Sequence, residues 1–159
     1  MAYHLSVVSQ EPPLLTVDLS LLLDRACKSA WAKSGQDNSN LAMTLEAVTL
    51  EPRSARLVAA SARFLLRDSL GRLSPTGRVG IHLWVHRGRR KSATLLIADS
   101  TGLSVGSMPG PDLQRAISCI RWAGYRMVRE QTALGIAVWV QMSSAYEGRL
   151  ADKPKLVLI

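Results

Sequence analysis

Leu73-Ser74-Pro75-Thr76-Gly77-Arg78-Val79-Gly80-Ile81-His82-Leu83-Trp84-Val85-His86 carries a turn signal and a strand signal back to back. Ser74-Pro75-Thr76-Gly77 has the residues of a tight turn, with Pro to fix φ and Gly to close. Residues 78–87 then alternate: Val79, Ile81, Leu83 and Val85 point one way, and Gly80, His82, Trp84 and His86 the other. A period of two predicts a strand with one buried face. Gly88-Arg89-Arg90-Lys91 reads as a basic hairpin tip, and 93–99, Ala-Thr-Leu-Leu-Ile-Ala-Asp, as a buried return strand.

Upstream of the turn, Glu51-Pro52 opens a helix through Leu57, Val58, Ala60, Phe64 and Leu65 to about Leu70, with Gly71 expected to end it. Leu41 to Leu50 alternates as a strand. Asp18 predicts an N-cap for a helix to about residue 33, with Leu19, Leu21, Leu22, Leu23, Ala26 and Cys27 as its apolar stripe. Residues 3–8 suit a short edge strand that Glu11-Pro12-Pro13 interrupts. Downstream, residues 100–111 form a Gly/Ser/Pro loop. Asp112 is expected to cap a helix to about Ala123, stopped by Gly124. Strands at 125–131 and 134–142 follow, joined by a turn at Thr132-Ala133. Three helices and about five strands predict an α+β two-layer sandwich, a mixed sheet with the helices on one face.

The 159 residues suit one domain, spanning 1–159 with its core at about 14–142, large enough to bury a core without disulfides or metals. Cys27 and Cys119 sit inside predicted helices and read as reduced, buried, small apolar residues of a cytoplasmic protein. The opening Met-Ala-Tyr-His-Leu-Ser has neither the basic nor the apolar region of a signal peptide, and no apolar run is long enough to predict a membrane span. A net charge of +8 favours acidic partners, but the arginines are spread along the chain, and no aromatic-rich basic stripe supports nucleic acid.

The order, spacing and local motifs resemble the catalytic ATP-binding domain of sensor histidine kinases, in the Bergerat or GHKL superfamily and nearest its HWE group. Val17-Asp18-Leu19 is similar to the entry into the family's first helix, Leu50-Glu51-Pro52 to the run into its central helix, and Leu73–Val79 to the turn and strand after it. Leu95-Leu96-Ile97-Ala98-Asp99 resembles the strand ending in the adenine-reading Asp, and Gly135 falls where the family has a Gly before its last strand.

The departures are chemical. The family's central helix carries a Glu and, four residues on, an Asn that holds Mg²⁺. Counting back from Ser74 puts Ala62 and Leu66 in those positions, and a one-residue shift puts Arg63 and Arg67 there. Mg²⁺ takes hard oxygen ligands, which neither pair supplies. The D-x-G-x-G box reads Asp99-Ser100-Thr101-Gly102-Leu103, and the G-x-G-L box reads Gly110-Pro111-Asp112-Leu113, with an Asp where a Gly amide would approach phosphate. The resemblance thus implies a vestigial ATP pocket around Asp99, Gly102, Gly110 and Asp68, with no catalytic residue and no metal site. ATP with Mg²⁺ remains as the alternative cofactor set.

Arg63 and Arg67, four apart on one helix face, are candidates for binding an anion, against a plainer reading as solvated surface. His82, Trp84 and His86 on one strand face, with Trp139 on the last strand, are candidates for a protein interface on the sheet face away from the helices. The two histidines lack an evident third metal ligand. No histidine lies on a predicted helix, so a phosphoacceptor helix of the kinases' kind is not expected within these residues. The expected function is a degenerate kinase-like domain that docks a signalling protein, a response regulator or phosphotransfer domain, with a homodimer as a further arrangement. The alternative is an active histidine or anti-sigma-type serine kinase domain with a divergent pocket.

Overall fold

A computed structural model describes residues 15–87, 92–100 and 110–143, together with the backbone of 157–158. Its elements run β1 (Val17–Asp18), α1 (Leu19–Ser34), β2 (Leu41–Leu45), β3 (Thr49–Leu50), α2 (Pro52–Arg72), β4 (Val79–His86), β5 (Ser92–Asp99), α3 (Pro111–Ala123), β6 (Arg126–Thr132), β7 (Gly135–Ser143) and β8 (Val157–Leu158). The main sheet has the order β2-β4-β5-β7-β6-β8, and β1 and β3 form a separate two-stranded ladder. Five longer strands make the body of the sheet. The β2–β4 and β6–β8 pairs are parallel and the others antiparallel, so the sheet is mixed. The three helices lie on one face, which is the expected α+β sandwich.

Side-chain period explains how the layers lock. In α1, Leu19, Leu23, Cys27 and Trp31 recur every four residues and are all buried. They pack towards α2, which buries Val58, Ala62, Leu65 and Leu66. From the sheet, Ile81, Leu83, Leu95, Ile97, Val138 and Val140 alternate inward onto the same core. The Asp18 carboxylate caps α1 by accepting from the Ser20 amide at 2.8 Å. Gly124 ends α3 with φ 78°, in the left-handed region, as expected.

Four local expectations are corrected. The stretch 41–50 is not one strand. The chain leaves the sheet at Glu46, whose carboxylate accepts from the Val85 amide at 2.9 Å, and Thr49–Leu50 turns to pair with Val17–Asp18. Val48 then supplies the carbonyl for the Leu19 amide at 2.7 Å, satisfying a donor at the start of α1. Next, α2 does not stop at Gly71 but continues to Arg72. Arg72 is tied to Asp68 one turn back, and that pair extends the helix. The third case is α3, which begins at Pro111 with Gly110 as its cap, so Asp112 lies in the first turn rather than at the N-cap. Pro suits that first position because its missing N–H would have no partner there. Finally, the β6–β7 turn is Ala133-Leu134, because Thr132 still pairs with Gly135 and its Oγ1 accepts from the Leu134 and Gly135 amides at 3.3 and 3.2 Å. The strand expected at 3–8 and the hairpin tip at 88–91 lie outside the described residues.

Both cysteines are buried free thiols. Burial, helped by Asp24, pushes the Cys27 thiol from its ordinary 9.0 up to about 12. Burial also raises Cys119, against a smaller lowering by Arg63. A protonated thiol is a poor nucleophile. A thiol-specific disulfide reagent near pH 8 is therefore expected to titrate neither cysteine in the native protein and both in urea. Prompt reaction of either native thiol would contradict this. Between about pH 9 and about pH 12 the unfolded chain loses the Cys27 proton while the native state keeps it. This contribution is full below pH 9 and falls away as pH rises towards 12.

Candidate functional site

Asp99 ends β5, and its residue is 7% exposed. Its carboxylate is well provided with donors. Ser69 Oγ donates to Oδ2 at 2.7 Å, Arg72 Nη2 to the same oxygen at 2.9 Å, and the Ile136 amide to Oδ1 at 3.3 Å. Arg72 also donates through Nη1 to Asp68 Oδ2, so one guanidinium bridges two carboxylates. Burial pulls the Arg72 pKa down, and the hydrogen bonds and charges of Asp68 and Asp99 outweigh that, leaving it raised and the group always cationic.

Gly135 makes this geometry available. Its φ is 155°, and a Cβ there would fall 1.8 Å from the Asp99 carbonyl oxygen. The β7 backbone therefore passes against the end of β5, which brings the Ile136 amide to the Asp99 side chain. Gly110 approaches from the other side, where a Cβ would lie 3.8 Å from Asp68 Oδ1. Of the four expected pocket residues, Asp68 and Asp99 are thus joined by Arg72, and Gly110 lies beside Asp68. Gly102 lies outside the described residues.

The central helix has no oxygen to offer in the family's Mg²⁺ positions. Ala62 and Leu66 are both 0% exposed and belong to the core. In the shifted frame Arg63 and Arg67 are exposed. The Arg63 guanidinium lies over the Phe64 ring at 5.5 Å, and Arg67 Nε is 3.7 Å from Asp112. Asp68 and Ser69, the oxygen-bearing residues next along the helix, are already engaged by Arg72 and Asp99. Among the described residues, those in the family's Mg²⁺ positions do not fit a Mg-ATP site of the family's kind.

On the opposite sheet face the four expected interface residues do come together. The Trp84 and Trp139 rings are 6.1 Å apart and edge to face, and Trp84 is flanked by His82 at 4.8 Å and His86 at 5.9 Å. Register accounts for this, since His82 is level with Leu96, and Leu96 with Trp139, across β4, β5 and β7. Both tryptophans are half-buried and both histidines exposed. His86 Nε2 is hydrogen-bonded to Thr94 Oγ1 at 2.7 Å. Among the described residues no cluster of three metal-ligating side chains occurs. No helix there is long and apolar enough to cross a membrane.

Reasoning from sequence missed Arg72, the residue on which the site turns. The available signal was its i,i+4 spacing from Asp68, which the preceding Gly71 obscured.

A mixed sheet backed by three helices, with a buried Asp closing the hairpin strand, is the architecture of the catalytic ATP-binding domains of sensor histidine kinases. The mycobacterial sensor histidine kinase MprB shares it at a TM-score of 0.65 and 17% identity over 81% of this chain and 97% of that one. The histidine kinase domain of the blue-light-activated kinase EL346 from Erythrobacter litoralis gives 0.71 at 12% identity, over 87% of this chain and 67% of that one. The catalytic domain of the histidine kinase ThkA gives 0.63 at 11% identity, over 82% and 96%. No family model matches the chain. No curated protein sequence matches it either. At these identities the likeness is one of fold.

Proposed function

We propose that the chain is a histidine-kinase-like domain that has lost nucleotide handling and acts by docking a signalling protein in two-component signalling, a response regulator or phosphotransfer domain. The observation that carries this reading is the Arg72 guanidinium on Asp99. By resemblance, Asp99 is the adenine-reading carboxylate. An adenine amine would have to compete with Arg72, Ser69 and the Ile136 amide for one carboxylate. Separating a buried ion pair costs about 3–5 kcal/mol, a loss of about a hundredfold or more in affinity. The fully buried Ala62 and Leu66 add that these two positions of the central helix offer no Mg²⁺ ligand to replace the lost contact.

The second reading, an active ATP-binding domain with a divergent pocket, draws support from Asp99 at the strand end and from the approach of Gly110 to Asp68. Isothermal calorimetry with ATP and Mg²⁺ separates the two. No binding heat is expected at millimolar nucleotide, whereas a micromolar dissociation constant would establish the second reading.

A further inference from the structure

A separate groove of about 950 Å³ runs between α1 and α2. Its rim carries Arg25 and Lys33 from α1 and Arg56, Arg63 and Arg67 from α2, five cations against the single carboxylate of Asp112. All five are exposed. Of these five, only Arg67 has a carboxylate of the described residues within ion-pair distance, Asp112 at 3.7 Å. Between the charged rims the lining includes Ala26, Ala30, Ala59 and Ala60. The result is a shallow trough with an alanine floor and cationic walls. It excludes Asp68, Arg72 and Asp99, so it is distinct from the pocket at the end of β5.

We propose that this groove seats an acidic helical segment of a partner protein. Length argues against a single phosphate or a nucleotide. Arg56 and Arg67 are eleven residues apart on one helix, about 16 Å along its axis, so the ligand must present negative charge over some three turns. The floor argues against single-stranded nucleic acid, since no aromatic side chain of the described residues lines the groove to stack a base. Small residues between two packed helices instead admit the ridge of a third helix, as in helix-in-groove recognition. A second copy does not supply the complement, because α1, α2 and α3 each carry a single carboxylate. The partner's helix would place alanine-sized residues on the floor and Glu or Asp on both flanks. This rests on the docking reading above but not on the state of the Asp99 pocket, so ATP titration and the experiment below fail independently.

The probe is a synthetic helix-forming peptide of alternating Ala and Glu turns, titrated calorimetrically into the full chain. Its controls are a peptide of the same length and charge with some alanines replaced by proline, and a duplex DNA oligonucleotide. Saturable binding of the helical peptide is expected, weakened about tenfold or more by the double variant Arg56→Glu/Arg63→Glu. The floor-filling variant Ala60→Trp is expected to weaken the helical peptide while preserving the fold by circular dichroism. Charge reversal at two exposed arginines off the groove, Arg53→Glu/Arg121→Glu, is expected to leave binding within about twofold. Equal losses in the two double variants would overturn the groove in favour of diffuse attraction. Equal binding of the proline-interrupted peptide would overturn the helical ligand, and tighter binding of the DNA would overturn the partner class. No binding of any probe would overturn the proposal outright.

Discussion

Gly135→Ala is expected to lower the unfolding free energy by about 3 kcal/mol or more, through a clash with strained backbone added to it. The added methyl would sit 1.8 Å from the Asp99 carbonyl oxygen and 2.8 Å from its carbon, at a φ of 155° that side-chain-bearing residues avoid. Neither obstacle is a flexible side-chain tip. Both are main chain of β5, held by eight register pairs to β7, so relief requires the strand ends to part. Parting them draws the Ile136 amide away from Asp99 and disturbs the site as well as the fold. Urea unfolding followed by circular dichroism measures the loss. A cost below about 1 kcal/mol would mean that the strand ends are not closely held.

Arg72→Ala is expected to destabilise the protein by about 3 kcal/mol, a large effect for one partly exposed side chain. The reason lies in what remains. The Asp99 side chain is 1% exposed, and the variant removes a cation 2.9 Å from its Oδ2. An exposed pair such as Lys28 with Asp24 would lose at most about 1 kcal/mol on the same treatment. The double variant Arg72→Ala/Asp99→Asn is expected to recover a substantial part of the loss, because the amide leaves no buried charge behind. Equal stability of the single and double variants would show that the Arg72–Asp99 charge interaction is not the source. Urea titration of the set near neutral pH supplies the comparison.

The hairpin at the centre of the fold was legible because its signal is local. Val79, Ile81 and Leu83 alternate with Gly80, His82 and Trp84, and the structure pairs that strand with the one ending in Asp99. Gly124 was legible for the same kind of reason, since one residue in one conformation ends a helix. The two-residue ladder of Val17–Asp18 with Thr49–Leu50 was not, because two residues carry no period. Thr132 displaced the expected turn by one residue through a side-chain hydrogen bond that no propensity encodes.

The candidate site divides along the same line. Asp99 could be placed from its strand, and the Arg63/Arg67 pair from helical spacing. The bridge from Asp68 through Arg72 to Asp99 depends on a helix passing Gly71 and a strand arriving from elsewhere, which only the folded chain brings together. The basic groove is likewise a product of packing. Arg25 and Lys33 acquire their meaning when α1 settles beside Arg56 on α2.

The four tryptophans have an optical consequence. Trp31 is 1% exposed and gives its indole proton to the Asp37 carbonyl, Trp122 is 67% exposed on α3, and Trp84 and Trp139 meet edge to face on the open sheet. Intrinsic emission from the native chain is therefore a composite of shielded, solvated and mutually coupled indoles. A soluble quencher would reach Trp122 readily and Trp31 hardly at all. Replacing Trp122 by Phe would leave the sheet-face pair as the main quenchable emitter and give a label-free reporter of anything that covers that face.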